Sequence, residues 1–153
     1  MAILELKDVC YKADKRLIID HLDLTVKKGE KIAVVGPSGS GKSTLFHLLC
    51  DLISPTSGHM YYNGKEYDAY EPETLRQRIS YMPQETDLFD RTIGENLAFP
   101  SIARNDKFDK DRALKLLSEF GLGHYDLDTN VEFLSGGERQ RICLARQLMY
   151  IPD

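Results

Sequence analysis

The sequence predicts an α/β fold, and three observations carry that reading. Lys31-Ile32-Ala33-Val34-Val35 is an uninterrupted β-branched run suited to a strand buried on both faces. The glycine-rich segment Gly36 to Gly41 follows it directly. After that segment Leu45, Phe46, Leu48, Leu49 and Leu52 fall on a helical stripe. Strand, glycine loop and helix in that order form a unit in which backbone N–H groups converge on an anion.

The flanking elements follow from pattern. Ile3-Leu4-Glu5-Leu6 is a short strand candidate, and His21 to Val26 alternates polar and apolar as a half-buried strand does. Lys28-Gly29-Glu30 is a turn. Ser54-Pro55-Thr56-Ser57-Gly58 ends the first helix, and His59 to Tyr62 enters a tight turn at Asn63-Gly64. Near Tyr67 the composition becomes more charged and more helical, and it stays so to about Phe133. Thr74 to Arg78 leads into a short strand at Ile79 to Met82. An amphipathic helix spans about Lys110 to Phe120, with Ala113, Leu114, Leu117 and Phe120 on its stripe and Gly121 as its stop. The last helix starts near Ser135, turns Ile142, Ala145, Leu148 and Met149 inward, and ends before Pro152.

Composition narrows the class. The chain has 153 residues, 20 Lys+Arg and 24 Asp+Glu, for a formal charge of −4. These ordinary values exclude collagen-like, disordered and disulfide-scaffold classes. The mild acidity argues against a general nucleic-acid binder. Cys10, Cys50 and Cys143 lie far apart with no C-x-x-C pair, which fits buried thiols of a reduced, cytoplasmic protein. The histidines His21, His47, His59 and His124 show no metal-ligand spacing. The first residues have no signal-peptide pattern. No apolar run approaches the roughly 20 residues that cross a bilayer, so any membrane role comes through a partner.

Two motifs carry the chemistry. Gly36-Pro37-Ser38-Gly39-Ser40-Gly41-Lys42-Ser43 fits G-x-x-x-x-G-K-[ST]. Its glycines let the backbone curl around a phosphate, and the helix dipole adds to the same point. Lys42 can neutralise β- and γ-phosphates, and the Ser43 hydroxyl can ligate Mg2+. The second motif is Leu134-Ser135-Gly136-Gly137-Glu138-Arg139-Gln140-Arg141. Ser135 and Glu138 read as a capping box. That leaves unexplained two glycines in the first turn, where they weaken a helix. A helix start rich in open N–H groups is a second anion site, and two such sites suggest one phosphate chain gripped from two sides.

On these residues the chain resembles the ATP-binding subunits of ABC transporters. The resemblance covers essentially the whole length. It implies a P-loop NTPase core with an N-terminal antiparallel β piece and a helical insertion, incomplete at the C-terminus. The implied divisions are 1–84 for the β piece and phosphate-loop core, 85–133 for the helical subdomain, and 134–153 for the signature and its helix. It also implies ATP and Mg2+ as cofactors. Gly36, Pro37, Ser38, Gly39, Ser40, Gly41, Lys42, Ser43 and Thr44 would hold the nucleotide. Ser135, Gly136, Gly137 and Glu138 would complete the site of a second copy in a head-to-tail homodimer. Gln84 matches the glutamine that reaches Mg2+ and the attacking water, so Lys42 and Gln84 are the catalytic candidates and Ser43 and Gln84 the metal candidates. The partner implied is a transmembrane permease subunit, with the chain peripheral on the inner face of the cell membrane and no nucleic acid bound.

A narrower similarity joins Leu52 to Gly58, Leu88-Phe89, Glu95 to Pro100, Arg104-Asn105 and Leu134 to Arg146 to ATPase subunits described as bacterial iron exporters. In that comparison the segment around Asn96 belongs to the subdomain that grips the membrane partner, although Leu97 and Phe99 equally suit simple core packing. Two departures stand out. Many family members stack an aromatic on adenine at the position of Ala13, which cannot stack. Tyr11 shares that strand face and is the substitute candidate, or else a surface or core tyrosine. The family continues past Asp153 with an apolar strand ending in Asp-Glu, whose carboxylates hold Mg2+ and polarise water. His124 precedes the signature, so it does not match the family's switch histidine. The chain is therefore expected to bind phosphate without supplying the hydrolytic base, and to leave sheet edges open. Two rival readings stay open: a non-catalytic ATP-binding or dimerisation fragment, and a soluble ABC ATPase acting on DNA or ribosomes. A long coiled-coil insertion or a strongly basic face would favour the latter, and the sequence has neither.

Overall fold

The structure, a computed structural model, describes residues 2–84, 87–89 and 91–153. It divides into two compact units, Met1–Tyr81 and Met82–Asp153. The expected start of the helical subdomain at residue 85 lies outside the described residues.

The first unit is built on a four-stranded sheet of order β2-β1-β3-β4. Strand β1 (Ala2–Ala13) pairs antiparallel with β2 (Arg16–Lys27) and with β3 (Ser57–Tyr62), and β3 pairs with the short β4 (Lys65–Glu66). The Asn63-Gly64 turn forms as expected, with both residues left-handed at φ 49° and 77°, the geometry of a hairpin turn of the I′ type. β3 crosses β1 so closely at Gly58 (φ 88°) that a Cβ there would lie 2.3 Å from the Asp8 carbonyl oxygen. Helix α1 (Lys42–Leu49) lays Leu45 and Leu48 onto the sheet, where they join Leu6, Val9, Ile19 and Met60 in a buried cluster. Phe46 and Leu52, placed on the same stripe by the sequence, stand exposed. Tyr67 closes the cluster, and its hydroxyl donates to the Leu49 carbonyl at the end of α1. Pro72 opens α2 (Pro72–Arg78), as its fixed φ allows at a helix start.

Two expected strands do not form. Residues 31–37 have no regular structure; Val34 packs on the first core, but Ile32 is 45% exposed and Val35 87%. A strand buried on both faces requires paired neighbours and covering layers, and none of the described strands pairs with this run. Ile79 to Met82 is also irregular. Ile79 instead donates its N–H to Leu75 as a last helical bond. His47 Nε2 and the Tyr81 hydroxyl, 3.2 Å apart, hold the segment beside α1.

The second unit is helical. Helices α3 (Ile93–Ala103), α4 (Lys110–Glu119) and α5 (Gly136–Gln147) enclose a core of Ile93, Leu97, Ala113, Leu117, Ile142 and Met149, among others. On α4 the buried stripe is Ala113, Leu116 and Leu117; Leu114, placed inward by the sequence, is 42% exposed. Spacings of three and four residues select Leu116 and Leu117 over Leu114 once Ala113 faces in. Gly121 (φ 70°) follows α4 as the predicted stop. Among the described residues no helix is long and apolar enough to cross a membrane. All three cysteines are free and buried, and burial pushes the Cys50 thiol up to about 11.

Candidate functional site: a phosphate loop and a signature turn

The loop that precedes α1 is shaped by its glycines. Gly41 caps the helix at φ 92°, a left-handed conformation that strains any residue with a Cβ. A Cβ there would also meet Ile18 and Ile19 of β2 at 3.1–3.3 Å. Gly39 is left-handed at φ 77°, and a Cβ on Gly36 would meet Ser40 Oγ at 2.8 Å. Pro37, Ser38 and Ser40 are exposed along the loop. No side chain caps α1, and its first turn holds no acid. Its leading N–H groups thus keep their positive potential for an outside anion.

Lys42 completes the cradle. Its Nζ donates to the carbonyls of Gly36 and Pro37 at 2.7 Å each, and to Ser40 Oγ at 3.3 Å. The ammonium is therefore held over the loop, where it adds a full charge to the helix N-terminus. Ser43, exposed on the first turn, offers a hydroxyl next to it, and Thr44 is half-buried. A cation, an uncapped helix start and a free hydroxyl within three residues fit a nucleotide's phosphates with Mg2+. Tyr11 is half-buried against the first core, opposite Ile19 in the β1–β2 ladder.

The second motif sits in the other unit and is built differently. Ser135 caps α5 in a complete capping box. The Glu138 carboxylate accepts from the Ser135 N–H at 2.8 Å and from its hydroxyl at 2.7 Å, while the Glu138 N–H reaches Ser135 Oγ at 3.4 Å. The Tyr125 hydroxyl donates to the same carboxylate at 3.0 Å. The bonds from Ser135, then the one from Tyr125, hold the Glu138 carboxyl below its ordinary value. Gly136 and Gly137 are exposed, with nothing within 4 Å of where a Cβ would sit. Nothing among the described residues explains why they are glycines.

Gln84 is exposed and belongs to the second unit. The structure adds a residue that the sequence reading had not singled out for a role. Asn96 is fully buried; its Oδ1 accepts from the Phe89 N–H and from Arg146, and its Nδ2 donates to the Thr92 carbonyl. Arg146 also donates to the Asp87 carbonyl and lies over the Phe89 ring at 4.3 Å. Asp87 and Phe89 are thereby tied to the signature helix α5. An asparagine inside the apolar run Glu95 to Phe99 was the available signal, because a buried amide needs partners. Leu97 is fully buried, whereas Phe99 is 45% exposed and stacks edge-on against Phe89 at 4.6 Å. The two residues that both suited core packing therefore separate.

A phosphate cradle at a helix start on an α/β scaffold defines a nucleotide-binding domain. The profile of the family described as "ABC transporter" matches residues 19–153, and the chain belongs to that family. It is 40% identical over 150 residues to the "Probable iron export ATP-binding protein FetA" of Escherichia coli (strain K12), covering 98% of this chain and 67% of that one. It is 41% identical over 142 residues to the "Lipoprotein-releasing system ATP-binding protein LolD" of Xanthomonas oryzae pv. oryzae (strain MAFF 311018), covering 88% and 58%. Among solved structures it superimposes on a bacterial Atm1-family ABC exporter with ATP bound, with TM-score 0.87 and 30% identity, over 97% of this chain and 28% of that one. The chain thus spans about two thirds or less of the relatives it matches. The α/β ABC ATPase fold, the ATP-binding class and the transporter family stand together on these matches.

Proposed function

We propose that this chain is the phosphate-gripping and signature-bearing part of an ATP-binding subunit that couples ATP binding and hydrolysis to transport by a transmembrane partner. The observation that carries the proposal is the uncapped start of α1 with the Lys42 ammonium held over the loop. Lys42 stabilises charge on the γ-phosphate, and Ser43 and Gln84 help hold Mg2+. Ser135, Gly136 and Gly137 complete the site of a second copy in a head-to-tail dimer. The open face at both glycines supports that role, since no described residue lies within 4 Å of where either Cβ would sit. Phe89, Phe99 and Ile102 are exposed on the second unit and suit an apolar docking surface for the membrane partner. This partner places the chain on the inner face of the cell membrane. The cargo inferred from the similarity to FetA is iron, moved outward.

The working experiment is calorimetric titration of the chain with Mg-ATP, paired with a phosphate-release assay. Saturable binding lost in Lys42→Ala supports the reading. Absence of binding in the wild type overturns it. A second reading is a non-catalytic ATP-binding module: the Gly36–Ser43 loop offers an uncapped helix start, an ammonium and hydroxyls, all of which bind phosphate, and no carboxylate or imidazole of its own. It expects binding with little turnover. Robust Mg-dependent phosphate release, abolished by Lys42→Ala, would exclude it.

A further inference from the structure

Away from the nucleotide loop, the β1–β2 ladder gathers three metal-ligating side chains that are not neighbours in sequence. Val9 pairs with Leu22 and Tyr11 with Ile19, so Cys10 alone faces both Asp20 and His21 across a bulge. One ligand atom from each of Cys10, Asp20 and His21 lies within 4.8 Å of the others. A second irregularity between Leu6 and Val9 turns Asp8 toward the same point. Asp8 and His21 are both left-handed, at φ 54° and 45°. Non-glycine residues in that region are strained, and such strain persists where surrounding structure enforces it. The close crossing of Gly58 over Asp8 is one such restraint.

The donor set is chemically coherent. The Asp8 carboxylate contacts His21 Nδ1 at 2.5 Å and leaves Nε2 for a ligand. That Nε2 lies 3.9 Å from Asp20 Oδ1. The His21 backbone N–H points at Cys10 Sγ, 3.3 Å away. A carboxylate behind a histidine beside a thiolate is the usual outer shell of a protein metal site. Cys10 is buried at the sheet, while the Asp20 and His21 side chains are two-thirds exposed, His21 resting on the Asp8 carboxylate. Ligand atoms around a tetrahedral zinc stand about 3.5 Å apart, so a modest rotation of the two exposed side chains closes the site.

We propose that Cys10, Asp20 and His21 bind a divalent transition ion of the zinc and cobalt class, with Asp8 orienting His21. On binding, the Cys10 thiol gives its proton to solvent as the sulfur–metal bond forms. Three protein ligands leave a fourth position for water. The site clamps β1 to β2 at the residue before Tyr11, a role separate from nucleotide binding at the α1 loop.

The test is titration of the metal-free chain with Co2+, followed by absorption. The expected result is one equivalent bound, a thiolate-to-cobalt charge-transfer band, and displacement by Zn2+. Cys10→Ser and His21→Ala remove the band. Asp8→Asn weakens affinity about tenfold or more. Cys50→Ser, Cys143→Ser and His59→Ala leave the signal unchanged. Because Cys10 is buried and its serine variant can misfold, the exposed His21→Ala variant decides independently. No thiolate band in the wild type, or a band that survives His21→Ala, overturns the proposal.

Discussion

Two glycine-rich helix starts in this chain look alike in sequence and differ in what their glycines do. At Gly36–Ser43 the glycines are demanded from within. Gly39 and Gly41 are left-handed, and added carbons would collide with Ser40 at Gly36 and with Ile18 at Gly41. The helix behind them carries no cap. At Ser135–Glu138 the helix start is closed by a reciprocal capping box, and its glycines occupy ordinary backbone in open space. Intramolecular geometry accounts for the three glycines of the first start and not for the two of the second. Glycines that a chain does not need for its own fold point to something that approaches from outside.

This contrast can be tested by substitution. The largest effect is expected at Gly41→Ala. Strain at a left-handed position plus contact with Ile18 costs on the order of 1–3 kcal/mol, and chemical denaturation should show it together with weakened ATP binding. An unchanged midpoint would show that the loop does not depend on that conformation. Next, Lys42→Ala removes a charge-assisted donor, which contributes about 1.5–3 kcal/mol. Mg-ATP affinity should fall roughly ten- to a hundredfold while the melting temperature holds. Ser135→Ala removes the α5 cap and should cost about 1 kcal/mol of stability without lowering ATP affinity of the isolated chain. Gly137→Ala should have the opposite sign. A glycine in the first helical turn is worse than alanine by up to about 1 kcal/mol, so the melting temperature should rise while nucleotide-driven dimerisation is lost. A fall in stability would show that Gly137 serves the chain's own packing after all.

The smallest effect is a pH dependence. The Glu138 carboxyl is held below its unfolded value of about 4.3. A depressed folded pKa adds stability above the unfolded value and loses it as pH falls through the folded one. Melts of wild type and Glu138→Gln should therefore differ near pH 6 and converge in more acidic buffer.

Much of this was legible in the sequence because local rules suffice for it. The Asn63-Gly64 turn, the capping box and the helix stop at Gly121 each depend on a few adjacent residues. The phosphate loop is similarly local: its glycines, Lys42 and Ser43 lie within eight positions. Where packing between distant segments decides, the pattern misled. Leu45, Leu48 and Leu117 are buried as their spacing suggests, but Leu114 and Phe46, equally apolar on the same stripes, are exposed, and Leu116 is buried in place of Leu114. Ile32 and Val35 have strand-forming side chains, but a strand exists only with a paired neighbour.

By itself, then, the sequence determined the class of the protein, since a phosphate loop and a signature turn are short-range statements about backbone and charge. Tertiary structure alone decided which apolar residues are core and that Asn96 joins Phe89 to Arg146 of the signature helix. It alone also set Cys10 beside Asp20 and His21. Those outcomes depend on ladder register, bulges and burial, which bring together residues whose separation along the chain carries no sign of their meeting.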